Sequence, residues 1–112
     1  MNHSRWKLAR ERKLAQGYAE PPEVVAEREL IRLCLTLGQA VHDRRETLGL
    51  SESELAERLG ISVDELEGVE LGDPDSFRPT LLARLAQALE ADVDLHLTVG
   101  GGTAVSFHAR AA

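Results

Sequence analysis

The sequence LSESELAERLGISVDELEGVEL, residues 50–71, carries the clearest structural signals in this chain of 112 residues. Ser51 followed three residues later by Glu54 is typical of a capping box, in which the serine oxygen accepts from an early helical N–H and the glutamate accepts from the serine N–H. Gly60 suits the left-handed residue that ends many helices. These signals predict a short helix that begins after Ser51 and ends at Gly60.

The same pattern opens a second helix directly after the turn. Ser62 and Glu65 predict a second capping box, and Leu66 and Val69 mark the apolar side of a helix over 62–71. Two short helices joined by a three-residue turn match the helix-turn-helix plan.

Longer helices are predicted on both sides of this pair. Pro21 and Pro22 suit the start of a helix, and the apolar residues after them recur at helical spacing, so we predict one helix over 22–47. Pro79 opens a further helix, whose apolar side continues to Leu89.

The last part of the chain changes to a two-residue period. Apolar residues alternate with polar ones, the Gly100–Gly102 run follows, and alternation resumes at Val105 and Phe107. This pattern predicts a β-hairpin over 91–112, which we expect to be a dimerisation element because a free edge strand can pair with another chain. The residues predicted to form the dimer interface are Val93, Leu95, Leu97 and Val99.

Composition limits the classes of protein and function. A length of 112 residues allows one core, the net charge is −6, and no apolar run is long enough to cross a membrane. With Cys34 as the sole cysteine and no signal peptide pattern at the start, we expect a cytoplasmic protein. No nucleophile–base pair or metal-ligand spacing is found, so we expect no enzyme activity, cofactor or metal.

Residues 37–89 resemble the Xre or phage-repressor family of helix-turn-helix proteins. Sequence segments that carry the resemblance are the 37–51 run, Glu54 to Ser62, Val69 to Gly72, and the 81–89 run. The resemblance implies a mainly α, repressor-like bundle of four to five helices, with an N-terminal helical extension and a C-terminal strand or hairpin.

The same resemblance implies the function and several residue roles. The family members are DNA-binding transcriptional regulators and mostly homodimers, and the extension resembles autoregulating antitoxins of the host-inhibition-of-growth type. Arg45 and Glu70 align with a structural salt bridge. The positions aligned with DNA contacts are Ser51, Glu52, Arg58, Ser62, Val63, Asp64, Glu65, Glu67 and Arg78.

The charge of this region leaves a second hypothesis open. Residues 51–75 hold nine acidic side chains against Arg58 alone, a net of −8, whereas affinity for DNA comes mostly from cations that neutralise phosphates. The alternative is a helix-turn-helix scaffold whose acidic second helix binds a protein, such as a basic toxin.

We divide the chain into a basic arm (1–21), a helix-turn-helix domain (22–90) and the hairpin. The arm, with a net charge of +4 over 1–14, is a candidate partner-binding segment through Arg5, Trp6, Lys7 and Arg10.

Overall fold

The structure is a computed structural model that describes residues 20–98 and 102–110. Within those ranges the element order is α1 (Pro22–Thr47), α2 (Glu52–Leu59), α3 (Val63–Glu70), a 3₁₀ turn (Pro74–Ser76), α4 (Pro79–Ala88), β1 (Ala91–His96) and β2 (Ala104–Ala109). The mainly helical fold with a C-terminal two-stranded sheet is as predicted. The predicted arm residues and Val99 lie outside the described residues.

The hydrophobic core forms where the four helices meet. Leu55 and Leu59 of α2, Leu66 of α3 and Leu85 of α4 are almost completely buried. They pack against Val41 on the C-terminal half of α1, which therefore faces every other helix through one cluster. None of the helices in the described ranges is both long and apolar enough to cross a membrane.

The chain pairs its own two C-terminal strands. β1 runs antiparallel to β2, with Val93 opposite Phe107 and Leu95 opposite Val105. Val105 and Phe107 pack against the helical core, so one face of this small sheet is covered from within the chain. The first strand ends at His96, which pairs with Ala104, the first residue of β2. Leu97 was predicted within this strand, but it has no partner in β2 and lies beyond the strand end.

The N-terminal half of α1 differs from the apolar stripe that its sequence predicts. Cys34, Leu37 and Val41 are buried, but Val24 and Ile31 remain exposed. The elements that pack most against this 26-residue helix are α3, β2 and the 3₁₀ turn, and they leave the side that carries Val24 and Ile31 exposed.

Candidate nucleic-acid interface

The α2–turn–α3 unit is built by the local signals described above. The Ser51 hydroxyl accepts from Glu54 N at 3.1 Å, and the Glu54 carboxylate accepts from Ser51 N at 3.2 Å. The hydrogen bond from the Ser51 backbone N–H is the largest cause that lowers the pKa of Glu54, and the Ser51 side chain adds to it. Gly60 ends α2 with φ +71°, the left-handed conformation expected of it.

The second capping box is only half formed. The Ser62 hydroxyl accepts from Glu65 N at 3.1 Å, but no reciprocal bond from Ser62 N to the Glu65 carboxylate is present between these two described residues. The Glu65 side chain instead lines a shallow pocket with Arg78 and Arg84. The prediction of a complete box was therefore wrong for α3, whose helical start rests on the serine alone.

A buried ion pair joins the end of α3 to α1. Arg45 Nε lies 3.0 Å from Glu70 Oε2, and Arg45 Nη2 lies 3.1 Å from Glu70 Oε1, so the contact is bidentate. Arg45 Nη1 also donates to the Leu50 carbonyl at 3.0 Å. This hydrogen bonding with Glu70 raises the pKa of Arg45, and only 8% of the arginine is exposed. The guanidinium thus connects α1, the turn before α2, and the end of α3.

His42 extends this contact. Its Nδ1 lies 2.8 Å from Glu70 Oε1 and its Nε2 lies 3.2 Å from Glu46 Oε1. The hydrogen bond to Glu70 is the main cause that raises the pKa of His42 above 6.5, against a smaller opposite effect of burial. Sequence reasoning did not assign His42 to this site, although it lies one helical turn before Arg45.

Gly38 allows α1 and α3 to approach closely. A Cβ built at this position would lie 2.5 Å from the Val69 carbonyl oxygen and 2.7 Å from that of Glu70. Any larger residue would therefore separate the two helices or distort the backbone. The signal was available in the sequence, since a glycine within a helix usually has a packing reason.

The outer side of α3 is exposed and acidic. Asp64, Glu65 and Glu67 point away from the core, while Val63 is half-buried and packs against it. Leu71, directly after α3, is 77% exposed. In the sequence no lysine or arginine occurs between Arg58 and Arg78, so α3 carries no cation of its own.

The predicted DNA-contacting residues do not all share one surface. Ser51 and Ser62 use their hydroxyls as helix caps. Arg58 donates to the Ala88 carbonyl at 2.9 Å and lies 3.5 Å from Glu90, so its guanidinium interacts with the end of α4. Glu52 lies at the start of α2 on the α3 side, where it lines an open groove with Glu67 and Glu70. Arg78 is exposed just before α4.

Comparison with known families agrees with this geometry. A family model described as a helix-turn-helix domain matches residues 36–98. The chain belongs to the helix-turn-helix domain family. The match covers α2, the turn, α3, α4 and β1, together with the C-terminal half of α1. Comparison with curated proteins and with solved structures gave no match.

Proposed function

We propose that this helix-turn-helix protein is a DNA-binding transcriptional regulator in which α3 enters the major groove. The observation that carries the proposal is the rigid presentation of α3. Its inner side is fixed to α1 by the Arg45–Glu70 contact and by the close approach at Gly38, while its outer side is exposed. A helix held at a fixed angle with a free outer side can be placed reproducibly in a groove.

The charges in the described part suggest where the phosphates would be contacted. Arg78 and Arg84 flank the pocket beside the start of α3. These cations would position the domain, while Asp64 or Glu67 could accept a hydrogen bond from a cytosine amino group. We further propose a homodimer, using the exposed Leu95 and Leu97, and an autoregulating antitoxin as the biological role.

A salt titration tests the DNA-binding proposal. Fluorescence anisotropy with a labelled duplex from directly upstream of its own gene should give binding at low salt that is stronger than binding to a scrambled duplex. The logarithm of the affinity should fall with the logarithm of salt by about 0.9 for each phosphate neutralised. No binding to either duplex at low salt would contradict the proposal.

A charge-reversal comparison tests whether α3 lies at the DNA. The triple variant Asp64→Lys, Glu65→Lys and Glu67→Lys should bind the scrambled duplex more tightly, because α3 would then attract the phosphates. A matched control variant, with Glu90→Lys, Asp92→Lys and Asp94→Lys, makes the same change in net charge beside and within the hairpin. Equal gains in affinity for the scrambled duplex in both variants would show that α3 does not lie at the DNA.

The acidity of α3 also supports the second candidate function, a protein-binding module for a basic partner. Arg58 is held at the end of α4, which leaves the acidic outer side of α3 without that cation. Under this alternative the α3 triple variant should lose a co-purified basic partner, whereas the hairpin variant should retain it. An antitoxin role is compatible with both candidate functions, since a basic toxin would be such a partner.

A further inference from the structure

An exposed apolar stripe runs along α1 and ends beside α3. Val24, Ile31 and Leu35 lie seven and four residues apart, so they share one side of the helix. They are 45%, 43% and 53% exposed, and Leu71 is 77% exposed. We call these four residues the outer stripe.

Leu71 continues the stripe because the turn after α3 packs on α1. A Cβ built at Gly72 would lie 2.7 Å from Leu35 Cδ2 and 2.8 Å from Leu35 Cα, so the backbone next to Leu71 touches this leucine. Gln39, one turn after Leu35, lines the same open groove as Leu71. The outer stripe therefore extends from the first turn of α1 to the end of α3, with the charged Glu27 and Arg28 between Val24 and Ile31.

The outer stripe has an acidic end. The groove that contains Leu71 is also lined by Glu52, Glu67 and Glu70. Glu70 is paired with Arg45, and Glu52, whose side chain is 43% accessible, lies 4.0 Å from the same guanidinium, whereas Glu67 is exposed. An occupant of this face would need apolar side chains along its length and basic side chains near α3.

We propose that the outer stripe is covered by residues 1–19 of the same chain. This arm has the complementary chemistry, with five basic residues against one acidic residue over 1–14. It also supplies large apolar side chains, namely Trp6, Leu8, Leu14 and Tyr18.

The position and length of the arm fit this face. The arm joins the described structure at Glu20, immediately before the α1 turn that carries Val24. From Glu20 to Gln39 the helical distance is about 28 Å. The 14 residues from Trp6 to Glu20 can span up to about 46 Å when extended, so Trp6 can reach Leu71 without strain.

Trp6 makes the proposal directly measurable because it is the sole tryptophan in the chain. In the full-length native protein at low salt, its fluorescence emission should be at shorter wavelength than in the urea-unfolded chain, and acrylamide should quench it less. The double variant Ile31→Ser and Leu71→Ser should shift both values toward those of the unfolded chain. Leu97→Ser, at a 56% exposed leucine away from the stripe, should leave them unchanged.

Charge variants test the acidic end separately. Glu67→Lys should release Trp6 to solvent, and so should high salt, whereas Glu57→Lys on α2 should not. Circular dichroism of each variant checks that the helices are retained. A Trp6 emission of the native protein that equals that of the unfolded chain would overturn the proposal. A Trp6 emission that does not change in the double variant Ile31→Ser and Leu71→Ser would also overturn it.

Two further outcomes would assign the arm to another partner and also overturn the proposal. An emission that depends on protein concentration would indicate docking on a second copy. An emission that shifts only after a DNA duplex is added would indicate a DNA-contacting arm. Because the assay contains no DNA in its main form, its failure would leave the DNA-binding proposal intact.

Discussion

The two helices of the turn are equal in length but are fixed in different ways. Both α2 and α3 have eight residues, and both begin with a serine cap. α2 has a complete capping box, a left-handed glycine at its end and three buried side chains. α3 has half a box and two buried side chains, and it too ends through a left-handed glycine, Gly72 at φ +80°, but it gains an ion pair to α1. The difference teaches that polar contacts with α1 do for α3 what the closed capping box and the additional packing do for α2.

The largest expected effect is a loss of stability that differs between the ion pair of α3 and the ion pair of α2. Glu70→Gln would leave the nearly buried Arg45 charge without its partner and should lower the free energy of unfolding by about 3–5 kcal/mol. Glu90→Gln removes the exposed ion pair with Arg58 of α2 but leaves the hydrogen bond from Arg58 to Ala88, and should cost at most about 1 kcal/mol, measured by urea denaturation. Similar losses in both variants would contradict the distinction. A double variant, Arg45→Met with Glu70→Leu, should be more stable than Glu70→Gln.

The next effect concerns the close approach of α3 to α1. Gly38→Ala should lower the free energy of unfolding by about 1–3 kcal/mol, because the added methyl group meets backbone carbonyl oxygens. Gly102→Ala is a useful control, since nothing lies within 4 Å of a Cβ built there. If Gly38→Ala stabilises the protein, as alanine does in an unobstructed helix, the close contact is not present in solution.

Helix capping gives a smaller effect and compares α2 with α3 directly. Ser51→Ala and Ser62→Ala each remove one side-chain acceptor and should each cost about 1 kcal/mol in thermal or urea unfolding. Glu54→Ala should lower the melting temperature more than Glu65→Ala, because the Glu54 carboxylate alone accepts from a cap N–H. Equal effects of the two glutamate variants would mean that the second box closes in solution.

The His42 contact adds a pH dependence to the attachment of α3 to α1. Since folding raises the pKa of His42, its contribution to stability is fully present below the unfolded pKa of about 6.5 and is lost as pH rises through the folded value. His42→Gln should therefore lower the melting temperature most in mildly acidic buffer and least in alkaline buffer. A difference that grows toward alkaline pH would contradict the hydrogen bond to Glu70.

The smallest expected effect lies on the outer sides of the two helices. Glu67→Gln on α3 and Glu57→Gln on α2 change exposed side chains and should alter the free energy of unfolding by less than about 0.5 kcal/mol. Their effects on DNA affinity should differ, with a gain for Glu67→Gln alone. A large stability change for Glu67→Gln would show that this carboxylate has a structural partner.

The sequence was sufficient for features that depend on local chemistry. The Ser51 box, the Gly60 end, the proline-initiated helices and the alternating pattern of each C-terminal strand all follow from residues within a few positions of one another. The Arg45–Glu70 contact joins residues 25 positions apart, and only the family resemblance pointed to it. The structure brings their side chains together.

Other features depended on tertiary contacts that the sequence pattern does not encode. The sequence pattern did not indicate that Arg58 donates to the Ala88 carbonyl at the end of α4. The apolar stripe of α1 indicated burial, yet Val24 and Ile31 of that helix are exposed. Residue type alone did not distinguish a side chain that packs in the bundle from one that faces out of it.

The most direct test of the central claim is a ¹H–¹⁵N nuclear magnetic resonance titration of the protein with its upstream duplex. We expect the largest shifts at Asp64, Glu67 and Gly68 on α3 and at Arg78, with small shifts in the hairpin. Shifts confined to β1 and β2, or to the N-terminal half of α1, would contradict the assignment of α3 as the helix that enters DNA.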